Sequence, residues 1–333
     1  MENNHSRRNF IKTLMTGVLM GPVVLNTQAC AGGSGIPTRE LGSTGARVSI
    51  IGFGGWDLGY IDEKVAIRMV REGVDEGITF FDNAWEYNSG NSETVVGKAL
   101  DQEKLRDKVF LMTKVCARDY KGAKRQIEDS LRRLKTDHVD LLLHHSIQYD
   151  GDKERIIDPE NGALKAVIEA KNEGKLKYIG FSGHRDPEIH LGMLNHSYDW
   201  DAVLMPLNIM DAHYKSFQNK VLPVVNERKM AALGMKSLTG GFDRISSKIN
   251  VSPELCRHYS LSLPVSTLIC GMQNKDEMHM MIDIARDFKP LTEEKIDELL
   301  ALSDATAKTG MPERYKDPTS FYGCSYHSSV LNG

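Results

Sequence analysis

The segment ITFFDNAWEY, residues 78–87, joins a run of branched and aromatic side chains directly to Asp82 and Tyr87. The run is short, apolar and bounded by polar turns, which is typical of a strand buried in a parallel sheet. Because the parallel strands of one sheet end at the same edge, polar residues at a strand end are candidates for a functional site. The segment therefore favours an α/β fold with its chemistry at the carboxyl ends of the strands.

Two further runs of the same kind extend this pattern along the chain. VFLMTK ends on Lys114, and VDLLLHH ends on His145. With the first run, they would bring a carboxylate, a phenol, an amine and an imidazole to one pocket. Reduction of a ketone needs this set of groups. The four predicted catalytic residues are Asp82, Tyr87, Lys114 and His145.

Eight strand-like segments alternate with amphipathic, helix-like segments over most of the chain. The helix-like segments include residues 63–76 and 122–134, where apolar side chains recur at helical spacing. Eight such units predict a closed (β/α)8 TIM barrel, which we assign to a single domain, residues 37–308. The eight predicted strands are residues 48–55, 79–84, 109–115, 140–145, 178–183, 202–208, 231–237 and 267–272.

A doubly wound open sheet is the alternative α/β fold. That fold usually carries a G-x-G-x-x-G fingerprint after its first strand. Residues 52–58 of this chain read GFGGWDL instead and lack that spacing. The barrel is therefore favoured over the open sheet.

The composition and net charge of the chain indicate which classes of binding partner to expect. Of the 333 residues, 41% are hydrophobic and 26% are charged, and the formal net charge is -3. These values give no reason to expect nucleic acid or an anionic membrane surface as a partner. We expect a small-molecule carbonyl or alcohol as the ligand.

The five cysteines give no sign of a metal site. None lies in a C-x-x-C pair or at ligand spacing from a histidine, so we expect no zinc or iron–sulfur centre. Cys116 and Cys270 lie within or beside predicted strands and should be buried. Cys324, in the C-terminal tail, is expected to be the exposed thiol. An oxidising compartment would permit a disulfide, whose pairing the sequence leaves open.

The N-terminal segment, residues 1–31, resembles a twin-arginine export signal that is removed from the mature chain. Arg7 and Arg8 precede a weakly apolar stretch, residues 14–25, that is shorter than the roughly 20 residues a membrane span needs. Cleavage after small residues is favoured, and lipidation of Cys30 or an ordinary basic N-terminus are the alternatives. We therefore expect the twin-arginine machinery as a partner and a periplasmic or otherwise exported protein with no stable membrane span.

Five segments resemble the aldo-keto reductase family in order and spacing. They are RELGSTGARVSIIGFGGW, GITFFDNAWEYNSGNSETVVGKAL, LMTKV, HVDLLLHH and GKLKYIGFSGH. The resemblance runs from Arg39 to about Ala307, and the second segment is its most specific part. The Met235-Lys236 pair is similar to that of exported bacterial members. The resemblance implies a TIM barrel that interconverts a carbonyl and an alcohol.

The chemistry of the four predicted catalytic residues can be argued from their types. An unperturbed tyrosine, with a pKa of about 10, is a poor proton donor near neutral pH. A neighbouring Lys114 ammonium favours the phenolate and makes Tyr87 a usable general acid and base, while Asp82 keeps the lysine charged. His145 would donate a hydrogen bond to the substrate oxygen. The resemblance implies the same four roles, although a structural ion pair and a packed barrel histidine are the alternatives. Residue alternation along the strand points His144 away from His145, towards a packing role.

The resemblance also implies a nicotinamide nucleotide bound across the same face of the barrel. Ser182 matches a serine near the nicotinamide amide, and Met235 replaces the stacking tyrosine of the family. Gly183 and Leu204 stand where the family has an asparagine and a glutamine. The predicted cofactor-binding residues are Gly54, Ser182, Met235, Lys236, Ser237, Leu238, Gly271, Lys275 and Glu277.

The choice between NADP and NAD depends on the group that meets the ribose 2′-phosphate. A basic side chain would make a strong, charge-assisted contact with it. Within residues 272–277, directly after Gly271, the only basic residue is Lys275, and Glu277 could oppose a phosphate or reach the adenine. The family favours NADP, and NAD stays possible. Trp56 and Trp85 are predicted to wall the substrate pocket.

An exported enzyme has no evident supply of reduced nucleotide. We therefore hypothesise that the cofactor stays bound and is recycled within the site while a sugar-like alcohol or carbonyl reacts. The alternative is a catalytically inactive nucleotide-binding or interaction protein on the same scaffold. The C-terminal tail, residues 309–333, lacks periodicity, and it does not predict the substrate.

Overall fold

A closed barrel of eight parallel strands forms the centre of the protein, in a computed structural model that describes residues 35–240, 245, 249–319 and 324. The barrel strands are β3 to β10, and β10 closes the ring against β3. The predicted TIM barrel is therefore confirmed. The strands are β1 (Thr38–Glu40), β2 (Arg47–Ser49), β3 (Ile51–Gly54), β4 (Phe80–Asp82), β5 (Phe110–Val115), β6 (Val139–His144), β7 (Leu176–Ser182), β8 (Ala202–Pro206), β9 (Ala231–Met235) and β10 (Thr267–Cys270).

Helices follow the barrel strands and cover the barrel from outside. Several begin at a side-chain cap, as where Asp62 accepts a hydrogen bond from the Val65 amide and Thr292 accepts one from the Lys295 amide. The described helices are α1 (Gly55–Leu58), α2 (Glu63–Asp75), α3 (Asn91–Gln102), α4 (Tyr120–Leu134), α5 (Asp152–Ile157), α6 (Ala163–Asn172), α7 (Pro187–Leu194), α8 (Phe217–Lys220), α9 (Leu222–Glu227), α10 (Pro253–Ser262), α11 (Lys275–Arg286) and α12 (Glu293–Ala307). The described residues also form short 3-10 turns at Tyr87–Gly90, Arg106–Lys108, Asp211–His213 and Arg314–Lys316.

The predicted first strand, residues 48–55, is in fact two strands. Its first part is β2, which pairs with β1 in an antiparallel hairpin, and its second part is β3 of the barrel. The Ser49 hydroxyl causes the change of direction, because it donates to the Ile51 carbonyl at 2.6 Å and accepts from the Thr79 amide at 2.9 Å. Ser49 and Thr79 thus bond through their side chains, while Ile50, between the two strands, keeps backbone bonds to Pro37 and Leu268.

Side-chain alternation along the strands decides which residues reach the barrel interior. Phe80, Met112, Leu143 and Leu233 belong to the apolar cluster that fills the barrel. The residue two positions after each of these lies on the same face, at or just beyond the end of its strand. This parity aims Asp82, Lys114, His145 and Met235 at the carboxyl-terminal mouth of the barrel.

His144 has the opposite orientation, as alternation predicts. Its imidazole is buried and packs edge-on against the indole of Trp200, with 5.8 Å between ring centroids. Burial lowers the pKa of His144 to about 3, so the ring stays neutral. His144 is therefore a packing residue.

The N-terminal signal predicted for residues 1–31 lies outside the described residues, as does most of the tail. Cys116, Cys256, Cys270 and Cys324 carry free thiols, and all four are buried. The expectation of an exposed Cys324 is therefore wrong, because the tail returns to the barrel at this residue. No helix within residues 35–240, 245, 249–319 and 324 is both long and apolar enough to cross a membrane.

A buried ion network anchors the start of the tail. The Lys316 ammonium donates to Asp211 at 2.6 Å, to Glu313 at 2.7 Å and to the Tyr214 carbonyl at 2.8 Å. Burial opposes the charge on Lys316, but the two carboxylates outweigh it and raise the pKa of the ammonium. The Tyr315 hydroxyl donates a hydrogen bond to the Glu313 carboxylate at 2.5 Å. The segment after α12 is thus tied to the loop after β8.

Lys316→Ala should destabilise the protein strongly, because it leaves the carboxylates of Asp211 and Glu313 buried without their cation. We expect the free energy of unfolding to fall by about 3–5 kcal/mol, measured by urea denaturation. Lys295→Ala is the control, since Lys295 pairs with Glu298 on the exposed face of α12 and should change stability by less than about 1 kcal/mol. Equal effects of the two substitutions would contradict this reading of the network.

Candidate active site

The four predicted catalytic residues meet at the mouth of the barrel. The Lys114 ammonium, which is fully buried, forms a short ion pair with Asp82. It also donates to the Asn83 carbonyl at 2.7 Å and to the Tyr87 hydroxyl at 2.9 Å. The amine thus has three oxygen partners, and the phenol oxygen is one of them.

Burial and charge act against each other in this ion pair. Burial raises the pKa of Asp82 and lowers the pKa of Lys114, whereas the contact between the two groups opposes both shifts. Each group therefore needs the other to remain charged. An intact pair holds a positive charge within hydrogen-bonding distance of the Tyr87 oxygen.

Tyr87 begins a 3-10 turn that is held in an uncommon backbone conformation. Asn88 and Ser89 both have positive φ, 52° and 55°. The Asn88 amide donates to the Trp56 carbonyl at 2.6 Å, and the Trp56 ring packs edge-on against Tyr87 at 5.2 Å. These contacts fix the phenol over Lys114.

His145 follows the end of β6 and completes the group. Its ring lies 5.6 Å from the Tyr87 ring, centroid to centroid, in an edge-on arrangement. Its Nδ1 lies 3.4 Å from a Glu86 carboxylate oxygen and 3.5 Å from Cys116 Sγ. Nδ1 therefore faces these two groups, and Nε2 lies on the other side of the ring.

A cavity of about 590 Å³ opens beside these four residues. Its size is ordinary for a site that binds a small molecule or cofactor. All four predicted catalytic residues line it. The other predicted site residues that line it are Gly54, Trp56, Ser182, Met235, Lys236, Ser237, Leu238, Gly271 and Glu277.

Two predicted site residues lie outside this cavity. The Trp85 indole nitrogen donates to Asp129 of α4 at 3.3 Å, and the ring is covered by the Arg133 guanidinium. The Lys275 ammonium forms an ion pair with Glu72 of α2. Trp85 therefore does not wall the pocket, and Lys275 does not face it, because partners on the outer helices hold both side chains.

The loop after β9 gives one side of the cavity the character of an anion site. Lys236 contributes an ammonium, and Ser182 and Ser237 contribute hydroxyls to the same lining. Lys236 and Thr239 hold positive φ, 57° and 54°, as the chain turns after β9. This donor set suits the phosphates of a nucleotide, so the residues present fit the cofactor that the sequence implies.

Several polar residues line the cavity without having been predicted. Glu86 and Ser146 are neighbours in sequence of Tyr87 and His145, so adjacency to a predicted residue was the signal that could have found them. Arg257 lies on α10, where nothing in the helical pattern marks it as inward-facing. The unpredicted polar lining residues are Asp57, Glu86, Ser146, His184, Arg257 and Gln273.

Asp57 and Glu277 place carboxylates on the lining near the end of β10. Burial raises the pKa of Asp57, which accepts a hydrogen bond from the Gln273 amide at 3.3 Å. Glu277 accepts a hydrogen bond from the Gln273 backbone at 2.8 Å. The cavity is therefore basic near Lys236 and partly acidic near Gln273.

Sequence comparison identifies relatives of this chain. A profile of the Aldo/keto reductase family matches residues 50–254. The chain is similar to the aldo-keto reductase YhdN of Bacillus subtilis, with 30% identity over 222 residues, 61% of this chain and 62% of YhdN. It is also similar to L-galactose dehydrogenase of Arabidopsis thaliana, with 34% identity over 159 residues, 44% of this chain and 49% of that protein. These matches span less than two thirds of either relative.

Solved structures share this fold over about four fifths of the chain. Aldo-keto reductase AKR11C1 from Bacillus halodurans, in its holo form, superimposes with a TM-score of 0.68 at 26% identity, over 82% of this chain and 99% of that one. An aldo-keto reductase from Klebsiella pneumoniae in complex with NADP and acetate has the same fold, with a TM-score of 0.65 at 23% identity, over 79% of this chain and 94% of that one. Because the family profile covers more than half of its residues, the chain belongs to the aldo/keto reductase family.

Proposed function

We propose that this protein is an NAD(P)-dependent oxidoreductase that interconverts a carbonyl and an alcohol, with Tyr87 as general acid and base. The observation that carries the proposal is the 2.9 Å contact between the Lys114 ammonium and the Tyr87 oxygen, inside a cavity that also presents Lys236. A proton donor and an anion site in one cavity are what a nucleotide-dependent reductase requires.

Each of the four catalytic residues has its own role in the proposed reaction. A nicotinamide nucleotide, when bound, supplies the hydride that the carbonyl carbon accepts. Tyr87 gives its proton to the carbonyl oxygen, and the neighbouring Lys114 ammonium stabilises the phenolate that remains. Asp82 keeps Lys114 charged within the apolar barrel. His145 donates a hydrogen bond to the same oxygen and orients it, and in the oxidative direction Tyr87 takes the proton back.

We propose NADP as the preferred cofactor. Lys275 is held by Glu72 outside the cavity, so it is a poor candidate for the 2′-phosphate contact. Among the described residues, Arg257 is a cation that lines the cavity near the end of β10, and it is our candidate for this contact. The NADP complex of the Klebsiella pneumoniae structure, which has the same fold, supports this choice.

We propose a sugar-like substrate and a cofactor that stays bound through the catalytic cycle. L-galactose dehydrogenase, one of the relatives, acts on a sugar according to its name. Export by the twin-arginine route, which moves folded proteins, would allow the nucleotide to be acquired in the cytoplasm. A bound nucleotide would then have to be reoxidised or reduced again by the substrate or by a second substrate.

Tyr87→Phe should remove the proton donor and leave nucleotide binding unchanged. We expect kcat to fall by about 10²–10⁴-fold with a panel of aldoses, hydroxy-ketones and nitrobenzaldehyde, measured as product formed by protein that carries its own nucleotide and by protein supplied with NADPH. Tyr178→Phe is the matched control, because the Tyr178 hydroxyl bonds the Thr44 carbonyl at the opposite end of the barrel. Full turnover in Tyr87→Phe would refute the role of Tyr87 as proton donor. Nucleotide binding by the unaltered protein without turnover of any of these substrates would favour a binding or interaction role for the scaffold.

Lys236→Met should weaken the binding of both NADP and NAD by about tenfold or more, because a charge-assisted contact with a phosphate is lost. Lys229→Met is a close control, since Lys229 precedes β9, is exposed and has a φ of 56°, against 57° at Lys236. Titration calorimetry measures the six affinities, those of the unaltered protein and of the two variants for NADP and for NAD. We expect NADP to bind the unaltered protein more tightly than NAD. The reverse order would refute the cofactor preference, and equal affinities of the two variants would refute the role of Lys236.

The export proposal is tested in a bacterial host that has a twin-arginine pathway. Arg7→Lys/Arg8→Lys keeps both charges but removes the arginine pair, so the variant should stay in the cytoplasm. The unaltered chain should be recovered from the exported fraction with a nucleotide still bound, as measured by native mass spectrometry. Export of the double variant would refute the twin-arginine route, and a nucleotide-free exported protein would refute the retained cofactor.

A further inference from the structure

Four potential metal ligands, one of them His145, come together from four separate segments of the chain. Glu86 follows β4, Cys116 follows β5, His145 follows β6, and Cys324 arrives from the tail. One ligand atom from each residue lies within 4.8 Å of the ligand atoms of the other three. Cys116 and Cys324 are fully buried, and the side chains of Glu86 and His145 are 10% and 12% exposed.

Two of the six separations between these ligand atoms, both from His145 Nδ1, match those between ligands on a tetrahedral zinc ion. Zn–S, Zn–N and Zn–O bonds are about 2.3, 2.0 and 2.0–2.2 Å long. At a tetrahedral angle, these bonds place nitrogen about 3.5 Å from sulfur and about 3.3 Å from oxygen. In this structure, His145 Nδ1 lies 3.5 Å from Cys116 Sγ and 3.4 Å from Glu86 Oε1.

We propose that Glu86, Cys116, His145 and Cys324 form a binding site for a divalent cation of the zinc type. Two sulfurs, one imidazole nitrogen and one carboxylate oxygen make the mixed soft and borderline ligand set that zinc prefers over magnesium or calcium. All four tetrahedral positions are taken by protein, which is the pattern of a structural site rather than of a catalytic one.

A buried arginine braces the two loops that supply the central ligands. Arg118 donates to the Cys116 carbonyl at 3.0 Å and to the Ser146 carbonyl at 3.1 Å. Its own charge is balanced by Asp152, at 2.8 Å. A second set of contacts that orients ligand-bearing loops is typical of metal sites.

The site would have two consequences for the protein. Through Cys324, the cation would hold the tail against the mouth of the barrel. Through Nδ1 of His145, it would fix the orientation and tautomer of the ring and leave Nε2–H for the substrate oxygen. The second consequence rests on the proposed function, whereas the metal site itself does not.

Cobalt titration tests the site on the full-length protein, without nucleotide or substrate. The protein is reduced, treated with a chelator and titrated with Co²⁺, whose thiolate charge-transfer absorption reports sulfur ligation. We expect about one Co²⁺ ion per chain, displaced by Zn²⁺. Cys324→Ser and Cys116→Ser should each weaken binding by about 10–100-fold and reduce the thiolate band. Cys256→Ser, a buried free thiol outside the cluster, is the control and should behave as the unaltered protein.

Three results would overturn the metal site. The first is the absence of a thiolate band while all thiols titrate as free. The second is the same cobalt spectrum in the Cys116 and Cys324 variants as in the unaltered protein. The third is a metal-free purified protein in which peptide mapping finds Cys116 joined to Cys324, because the pair would then be a disulfide. None of these readouts depends on turnover, so the proposed oxidoreductase can fail without affecting the outcome.

Discussion

The active site depends on one constraint, the burial of a charged amine inside the end of an apolar barrel. Lys114 has no exposure, so it must find oxygen partners there. The barrel supplies them through register: Asp82 pairs with Met112, which places Lys114 two residues further along β5 on the same interior face. A slip of one residue would turn the ammonium outward. The intervening Thr113 does point outward, where its hydroxyl donates to the buried Glu93 at 2.6 Å and secures this register from outside.

This dependence explains how much could be predicted from the sequence. Apolar runs predict the strands, and alternation along each strand predicts which side chains face the barrel interior. The eight barrel strands and the convergence of Lys114 with Tyr87 therefore follow from local pattern. The division of the first predicted strand at Ser49 does not follow from local pattern. There the Ser49 hydroxyl donates to the Ile51 carbonyl and, in place of a backbone carbonyl, accepts the hydrogen bond from the Thr79 amide. The directions of the Trp85 and Lys275 side chains do not follow from local pattern either. Asp129 on one outer helix holds Trp85, and Glu72 on another holds Lys275.

The C-terminal tail is a stronger example of structure that local sequence pattern does not predict. Residues 309–319 have no periodicity, yet Lys316 is fully buried against Asp211, 105 positions earlier in the chain. The network reaches the candidate cofactor loop, since the Asn208 amide donates to the Tyr315 hydroxyl and to the Lys236 carbonyl. The Lys236 ammonium lies 5.0 Å above the Tyr315 ring. The tail therefore forms part of the wall behind the anion side of the cavity, and its conformation affects the position of Lys236.

His145 connects the proposed chemistry with the proposed metal site, and the two uses of its ring support each other. A cation on Nδ1 requires a neutral imidazole, with its hydrogen on Nε2. A neutral ring can orient a carbonyl oxygen by one hydrogen bond, but it is a far weaker acid than an imidazolium. The proton would then come from Tyr87, which alone has the Lys114 ammonium at 2.9 Å to stabilise its conjugate base. A structural cation behind His145 would in this way separate orientation of the substrate from transfer of the proton, assigning each to a different residue.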